Sequence, residues 1–267
     1  MDSWTEKRIL ILGMTYPSYS NKYIENVCTG GLEEGTGKMV RIHPVPARYL
    51  EPEHRFKKFQ WIKARVMKHP SDPRPESLRI EPQSIEPQEE IPSKDVEERR
   101  RLIEASPHLA RSVEELKDRW DHDRTSLGTI RPREIMGVRL VRRSESERRE
   151  WLAKEKALLS QETLPFERAP KPIDFPEVEF RVSWKCDDGR CVAHDMSLAQ
   201  WGLHELYRKL SGDPRRDDKV KEAMLKELDL KSRDVFLFLG NFRGTMWNFG
   251  LMDSFSPGKQ RQITMGW

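Results

Sequence analysis

The chain has 267 residues, of which 36% are hydrophobic and 34% are Asp, Glu, Lys or Arg. This length can bury a substantial core, while the high charge predicts long solvated helices and surface segments. No apolar segment is long enough to span a bilayer and three cysteines do not make a disulfide framework, so the composition predicts a cytoplasmic protein and argues against membrane insertion.

The N-terminal region is predicted to be rich in strands. KRILILGM, residues 7–14, is a short apolar run ending at a glycine, which is typical of a buried strand. In the next segment, Ser20 or Asn21 can cap a helix over KYIENVC. GKMVRIHPVP and FKKFQWIKARVMKH alternate apolar and basic residues, and each predicts a further strand.

The middle of the chain is predicted to be mainly helical. Repeated prolines between residues 70 and 92 predict a long surface connection without strands. A strand is expected over residues 135–141, and a second proline-rich linker over residues 165–176. Ser112 and Glu115 have the spacing of a capping box. Three charged helices are predicted, over residues 94–105, 112–120 and 144–160.

The C-terminal region combines both kinds of element. VEFRVSW, residues 178–184, alternates as a half-buried strand should. Helices are expected from a cap at Ser197 to residue 210 and over residues 217–228. Two apolar runs around residues 241–244 predict a β-hairpin.

Strands and helices are interleaved without a βαβ rhythm, so the sequence predicts an α+β fold. We expect a mixed or barrel-like sheet with a charged helical insertion and peripheral helices. The predicted organisation is one composite domain: a β-rich part over residues 1–88, a mainly helical insertion with one strand over 89–165, and an α+β part over 166–267 that completes the same sheet.

A possible metal site lies in WKCDDGRCVAHD, which places Cys186, Cys191 and His194 close together in the chain. Two thiolates and an imidazole at short spacing suit tetrahedral zinc and supply three of its four ligands. The fourth ligand is open: His204, Asp195, Cys28 or a water molecule. The alternative is an ordinary turn whose cysteines are merely adjacent.

A second candidate is the segment RFKKFQWIKARVMKH, in which cations and aromatic residues are mixed. Cations attract phosphates by counterion release, and aromatic faces can stack on unpaired bases. Alternatively, the rings fill the core and the cations stay solvated. With Arg243 from the predicted hairpin turn, the candidate nucleic-acid-binding residues are Lys57, Lys58, Phe59, Trp61, Lys63, Arg65 and Arg243.

A third candidate follows the first strand, where the loop at residues 15–21 leads into the predicted helix. Amide groups at a helix N-terminus favour a phosphate, although neither of the common glycine-rich nucleotide motifs is present. On that helix Glu25 and Cys28 are weak catalytic candidates as a base and a nucleophile, provided that a histidine such as His43 approaches. The alternative is a core cysteine and a surface glutamate.

These patterns favour a nucleic-acid-binding protein, acting on RNA or DNA in nucleic-acid processing or defence, with a zinc-stabilised hairpin. The alternative function is an enzyme that acts on a nucleotide or another phosphorylated small molecule. A partner-binding module that presents charged helices is the third possibility. The sequence does not specify the oligomeric state.

Overall fold

The computed structural model describes residues 3–19, 25–160, 171–242 and 245–259, which form fifteen strands and five α-helices. The strands are Thr5–Met14 (β1), Ser18–Tyr19 (β2), Glu25–Asn26 (β3), Thr29–Glu33 (β4), Met39–Ile42 (β5), Gln60–Lys68 (β6), Ser77–Ile80 (β7), Glu86–Glu90 (β8), Leu109–Ala110 (β9), Leu127–Ile130 (β10), Glu134–Arg142 (β11), Val178–Lys185 (β12), His194–Ser197 (β13), Phe236–Phe242 (β14) and Thr245–Phe255 (β15). The helices are Val96–Glu104 (α1), Val113–Asp123 (α2), Glu145–Leu159 (α3), Trp201–Lys209 (α4) and Arg216–Glu227 (α5).

Five strands close into a barrel, here called barrel 1. Their order around the barrel is β1-β4-β5-β7-β6, and β6 pairs again with β1. The β5–β7 pair is parallel, whereas the other pairs are antiparallel. The fourth barrel strand therefore returns beside the first, which is the Greek-key arrangement of the five-stranded OB-fold barrel.

The remaining long strands repeat this order in a second ring, here called barrel 2. Its first strand is β10 continued by β11, which pairs with β12, and β12 pairs with β13. One parallel bridge, Leu198 to Leu251, joins the end of β13 to β15, and β15 pairs with β14. The ring closes where β14 pairs with β10. Helices α4 and α5 lie between the third and fourth strands of this ring.

Local sequence accounts for these elements. In β12, Val178, Phe180, Val182 and Trp184 are fully buried and alternate with less buried polar residues, so one face of the strand fills barrel 2. Helix α3 begins at a capping box formed by Ser144 and Glu147.

Strand β1 is buried on both faces. Ile9 and Ile11 point into barrel 1, whereas Leu10 and Leu12 join a core that lies between the two barrels. That second core also includes Phe236 and Phe238 of β14 and other residues of β15. The two barrels therefore share one continuous layer of buried side chains.

The α+β class and the barrel-like sheet are confirmed. The strands expected to share one sheet are divided, however, because β5 and β6 belong to barrel 1 while β11, β12, β14 and β15 belong to barrel 2. None of the described helices has the length and apolar character needed to cross a bilayer.

Several local predictions are wrong. The segment between residues 70 and 92 contains the strands β7 and β8. Its prolines are compatible with these strands, since most of them lie at or beyond strand ends. Pro87 lies inside β8, the outermost strand of the sheet, where a missing amide hydrogen costs little. Glu25 and Asn26 form β3 instead of a helix, and residues 20–24 lie outside the described part of the chain. Ser197 is the last residue of β13 and does not cap a helix, and α4 begins at Trp201 with Gln200 at its N-cap.

Alanine at Leu10 tests the shared core. We expect Leu10→Ala to lower the free energy of unfolding by about 2–5 kcal/mol, as Ile11→Ala should, because both remove buried methyl groups. Urea denaturation should still show one cooperative transition. Glu6→Ala is the control, since its exposed salt bridge to Lys63 contributes about 0–1 kcal/mol. A Leu10→Ala protein as stable as the parent, or two separate transitions, would contradict the shared core.

Candidate metal centre and nucleic-acid interface

The turn between β12 and β13 brings the three predicted metal ligands together. The backbone N–H of Cys191 donates to the carbonyl of Asp188 at 3.0 Å, which closes the turn. The two sulfurs of Cys186 and Cys191 are then 3.4 Å apart. His194 Nε2 lies 2.9 Å from the first sulfur and 3.3 Å from the second.

The fourth donor is Glu114, which the sequence did not indicate. It lies in the first turn of α2, with one carboxylate oxygen 3.4 Å from Cys186 Sγ and the other 3.6 Å from His194 Nε2. No local spacing could have revealed it, because 72 residues separate it from Cys186.

The fourth ligands considered from the sequence have other contacts. His204 packs against Tyr16 and Phe180. Asp195 accepts hydrogen bonds from Arg181 and Ser183, and Cys28 packs against the core between the barrels.

The spacing of the four donors suits a small metal ion. All four ligand atoms lie within 4.8 Å of one another, so the group could bind a metal. Tetrahedral zinc with bonds of about 2.0–2.3 Å separates its ligand atoms by about 3.3–3.8 Å. The separations among the two sulfurs and His194 Nε2, 2.9–3.4 Å, lie close to that range.

The surroundings hold the turn against α2. Ser112 Oγ, at the N-cap of α2, donates to a carboxylate oxygen of Asp188 at 2.8 Å. A salt bridge of 2.9 Å joins Arg190 to Asp118 on the same helix. Burial raises the pKa of Cys186 and lowers that of His194, so without an ion both groups favour their neutral forms.

The basic-aromatic segment does not form one exposed face. Phe59 is only 2% exposed, because a left-handed backbone angle (φ 60°) just before β6 turns its ring inward against Phe255. Trp61 is half-buried, and the guanidinium of Arg8 lies 4.8 Å from its ring. The expectation of an exposed stacking face is wrong for Phe59.

Four predicted cations of this segment have acidic partners. Lys57 and Lys63 lie on the surface, where such pairs contribute little to stability. The pairs are Lys57–Glu90 at 3.4 Å, Lys58–Asp253 at 2.8 Å, Lys63–Glu6 at 3.0 Å and Arg65–Glu81 at 2.9 Å. Arg243 lies outside the described residues.

The Lys58–Asp253 pair is largely buried. Asp253 is 4% exposed, and burial raises the pKa of its carboxyl group while Lys58 opposes that shift. Lys58 Nζ also donates to the carbonyl of Ser254 at 2.5 Å. A Cβ atom at Gly13 would lie 2.4 Å from this carboxylate, so β1 needs a glycine here.

Lys58 and Phe59 nevertheless contribute to one cavity with cations from other elements. This cavity of about 590 Å³, here called the basic hollow, lies beside α5 and the end of β15. Its cations are Lys58, Arg99, Lys226 and Arg233, and its carboxylates are Glu90 and Glu227.

The predicted base and nucleophile do not share a helix face. Glu25 is 1% exposed in β3, where it accepts hydrogen bonds from the backbone and the guanidinium of Arg48. Cys28 follows that strand and is half-buried. Burial lowers the pKa of His43 to about 4.

Residues 109–265 match the family model described as "Domain of unknown function (DUF8757)", which covers more than half of the chain. The chain belongs to this family. Residues 5–105 match a second model, "Domain of unknown function (DUF8758)". The division between the two matches falls between α1 and β9, so barrel 1 and barrel 2 lie in separate matched segments. No curated protein matches the chain.

Methionine at Lys58 tests whether this lysine is a structural counterion. We expect Lys58→Met to cost about 3–5 kcal/mol of unfolding free energy, because it leaves the Asp253 carboxylate buried without its counterion, with the backbone N–H of Ser254 still donating to it. Adding Asp253→Asn should recover part of the loss. Lys57→Met removes an exposed cation of the same segment and should change stability by about 0–1 kcal/mol. Equal effects of both lysine changes in urea denaturation would show that the buried pair is unimportant.

Proposed function

We propose that the protein binds single-stranded nucleic acid at the basic hollow, and that one zinc ion holds the β12–β13 turn against α2. The observation that carries the first part is a set of cations that lack a carboxylate partner at salt-bridge distance. Among the described residues, Arg99, Lys226 and Arg233 make no salt bridge, although all three line the same hollow.

This set differs from its surroundings. On helix α1, which also carries Arg99, Arg101 pairs with Glu98 at 2.7 Å and Arg100 pairs with Asp234 at 2.8 Å. Arg99 instead donates to the carbonyl of Ile91 and lies 4.3 Å from the centre of the Phe59 ring, and Arg233 donates to the carbonyl of Ser256. Their positive charge is therefore available to a phosphate backbone, which binds cations by releasing its own counterions.

The rings of the hollow suggest how the strand is recognised. Phe59 and Phe255 are 2% and 9% exposed, so they form a floor and present little surface for base stacking. We therefore expect backbone contacts and weak sequence preference. The two barrels support the proposal at the level of the fold, since OB-type barrels bind oligonucleotides or oligosaccharides, although a fold alone does not determine function.

The zinc proposal depends on the complete donor set. Two thiols, one imidazole and one carboxylate fill a tetrahedral shell and leave no position for water, which is typical of a structural site. Such an ion would join α2 to a turn 72 residues away and would favour the thiolate form of both cysteines.

A salt series tests nucleic-acid binding. We expect filter binding of single-stranded RNA and DNA to weaken as salt rises, with a linear dependence of log K on log salt concentration. Replacing Arg99, Lys226 and Arg233 together by glutamine should reduce that slope by about 2, because each phosphate contact to a single strand contributes about 0.7.

The control variant replaces Arg149, Lys154 and Lys156 on α3 by glutamine. It loses the same three positive charges at a site that does not line the hollow. Thermal melting of both variants verifies that they are folded. Binding that is absent in the parent, or equally reduced by the two variants, would reject the hollow as the interface.

Elemental analysis tests the zinc site. Protein purified without added zinc should contain about one zinc ion per chain, and Cys186→Ser or Glu114→Gln should lower that content and the melting temperature. Cys28→Ser is the control, because this thiol lies outside the cluster and its loss should leave the metal content unchanged. A metal-free parent protein that melts normally in the presence of a chelator would exclude the site.

A further inference from the structure

A second cavity, here called the cleft, shares no lining residue with the basic hollow. It has a volume of about 400 Å³, within the range of small-molecule sites. Its walls are the segment after β1, helix α3, the segment before β12, and α4 with the start of α5.

Hydrogen bonds hold these walls together. Tyr16, after β1, donates its hydroxyl to the carbonyl of Asp174 at 3.0 Å. Its backbone N–H donates to the carbonyl of Ala199, just before α4, at 2.9 Å. Tyr16 therefore ties the segment after β1 to the segment before β12 and to the start of α4.

Aromatic rings line part of the cleft. The rings of Tyr16 and His204 are 4.4 Å apart and tilted by 32°, and His204 packs in turn on Phe180. Burial lowers the pKa of His204 to about 4, so this ring is uncharged at neutral pH. Phe175, held by edge contact with Trp151, supplies a second half-buried ring. A planar aromatic ligand can pack against such surfaces.

Arginines line the remainder. Arg216 lies 3.4 Å above the ring of Tyr207 and donates to the carbonyl of the same residue at 2.7 Å, which fixes the orientation of its guanidinium. Arg208 also lines the cleft, and Arg148 makes no salt bridge with any residue that the structure describes. Arg216 forms a salt bridge of 3.1 Å with Glu177, and Arg208 forms salt bridges of 2.7 Å with Glu205 and 3.8 Å with Asp174. Of the arginines that line the cleft, Arg148 is therefore the one whose charge no described carboxylate pairs with.

We propose that the cleft binds one nucleotide, with its base against Tyr16 and Phe175 and its phosphate on Arg148. A guanidinium group offers two parallel donors that match phosphate oxygens, and the neighbouring rings suit the base. A free 5′-mononucleotide and the 5′-phosphorylated end of a strand present the same chemistry. The inference goes beyond the basic hollow and does not depend on it, because the two cavities share no lining residue.

Calorimetric titration with the four 5′-ribonucleoside monophosphates, and with the matching nucleosides, tests the proposal. We expect binding of at least one monophosphate, weakened at least about ten-fold by Arg148→Met, while nucleoside binding is unchanged. Tyr16→Leu should weaken both. Arg149→Met is the matched control, because this neighbour on α3 does not line the cleft. No binding of any monophosphate at millimolar concentration, or equal binding by the two arginine variants, would overturn the proposal.

Competition separates the two sources of the nucleotide. Displacement of a bound monophosphate by a 5′-phosphorylated oligonucleotide, but not by its 5′-hydroxyl form, would identify a strand end, whereas resistance to both would identify a free nucleotide. Either result supports the cleft. The triple glutamine variant of the basic hollow should bind monophosphates normally, so failure of one site is distinguishable from failure of the other.

Discussion

The double burial of β1 is the constraint on which this structure depends. Ile9 and Ile11 fill barrel 1, while Leu10 and Leu12 pack against β14 and β15 of barrel 2. A strand with apolar residues on both faces cannot move relative to either barrel without exposing one set. The barrels are thus fixed relative to each other, and the hollow and the cleft are each lined by segments that border strands of both barrels.

Each candidate site combines segments that are distant in the chain. The metal cluster joins α2 to the β12–β13 turn, and the hollow joins Arg99 of α1 to Lys226 of α5. The cleft depends on Tyr16, whose contacts reach the segment before β12 and the start of α4. Binding capacity in this protein therefore arises from tertiary packing, since no single segment carries a complete set of ligand groups.

Local patterns could be predicted from the sequence. The alternation of β12, the Ser112 cap of α2 and the grouping of Cys186 with His194 depend on neighbouring residues, and the structure contains all of them. Glu114 could not be found in this way, because the fold alone brings it to the turn. The inward turn of Phe59 depends on a left-handed backbone angle that its sequence does not require. The prolines between residues 70 and 92 led to the prediction of a surface connection, and β8 was therefore missed. A proline disfavours only a strand in which every amide hydrogen is needed for pairing.

That outermost strand also affects how the molecule behaves in a crowded solution. β8 pairs with β6 on one side only, so its other edge offers backbone groups to strands of neighbouring molecules. Pro87 interrupts the row of amide donors along it, and the exposed charged side chains of Glu86, Glu89 and Glu90 stand on it, with Glu89 paired to Arg8 and Glu90 to Lys57. A proline and charged side chains on an outer strand disfavour the edge-to-edge association that leads to aggregation.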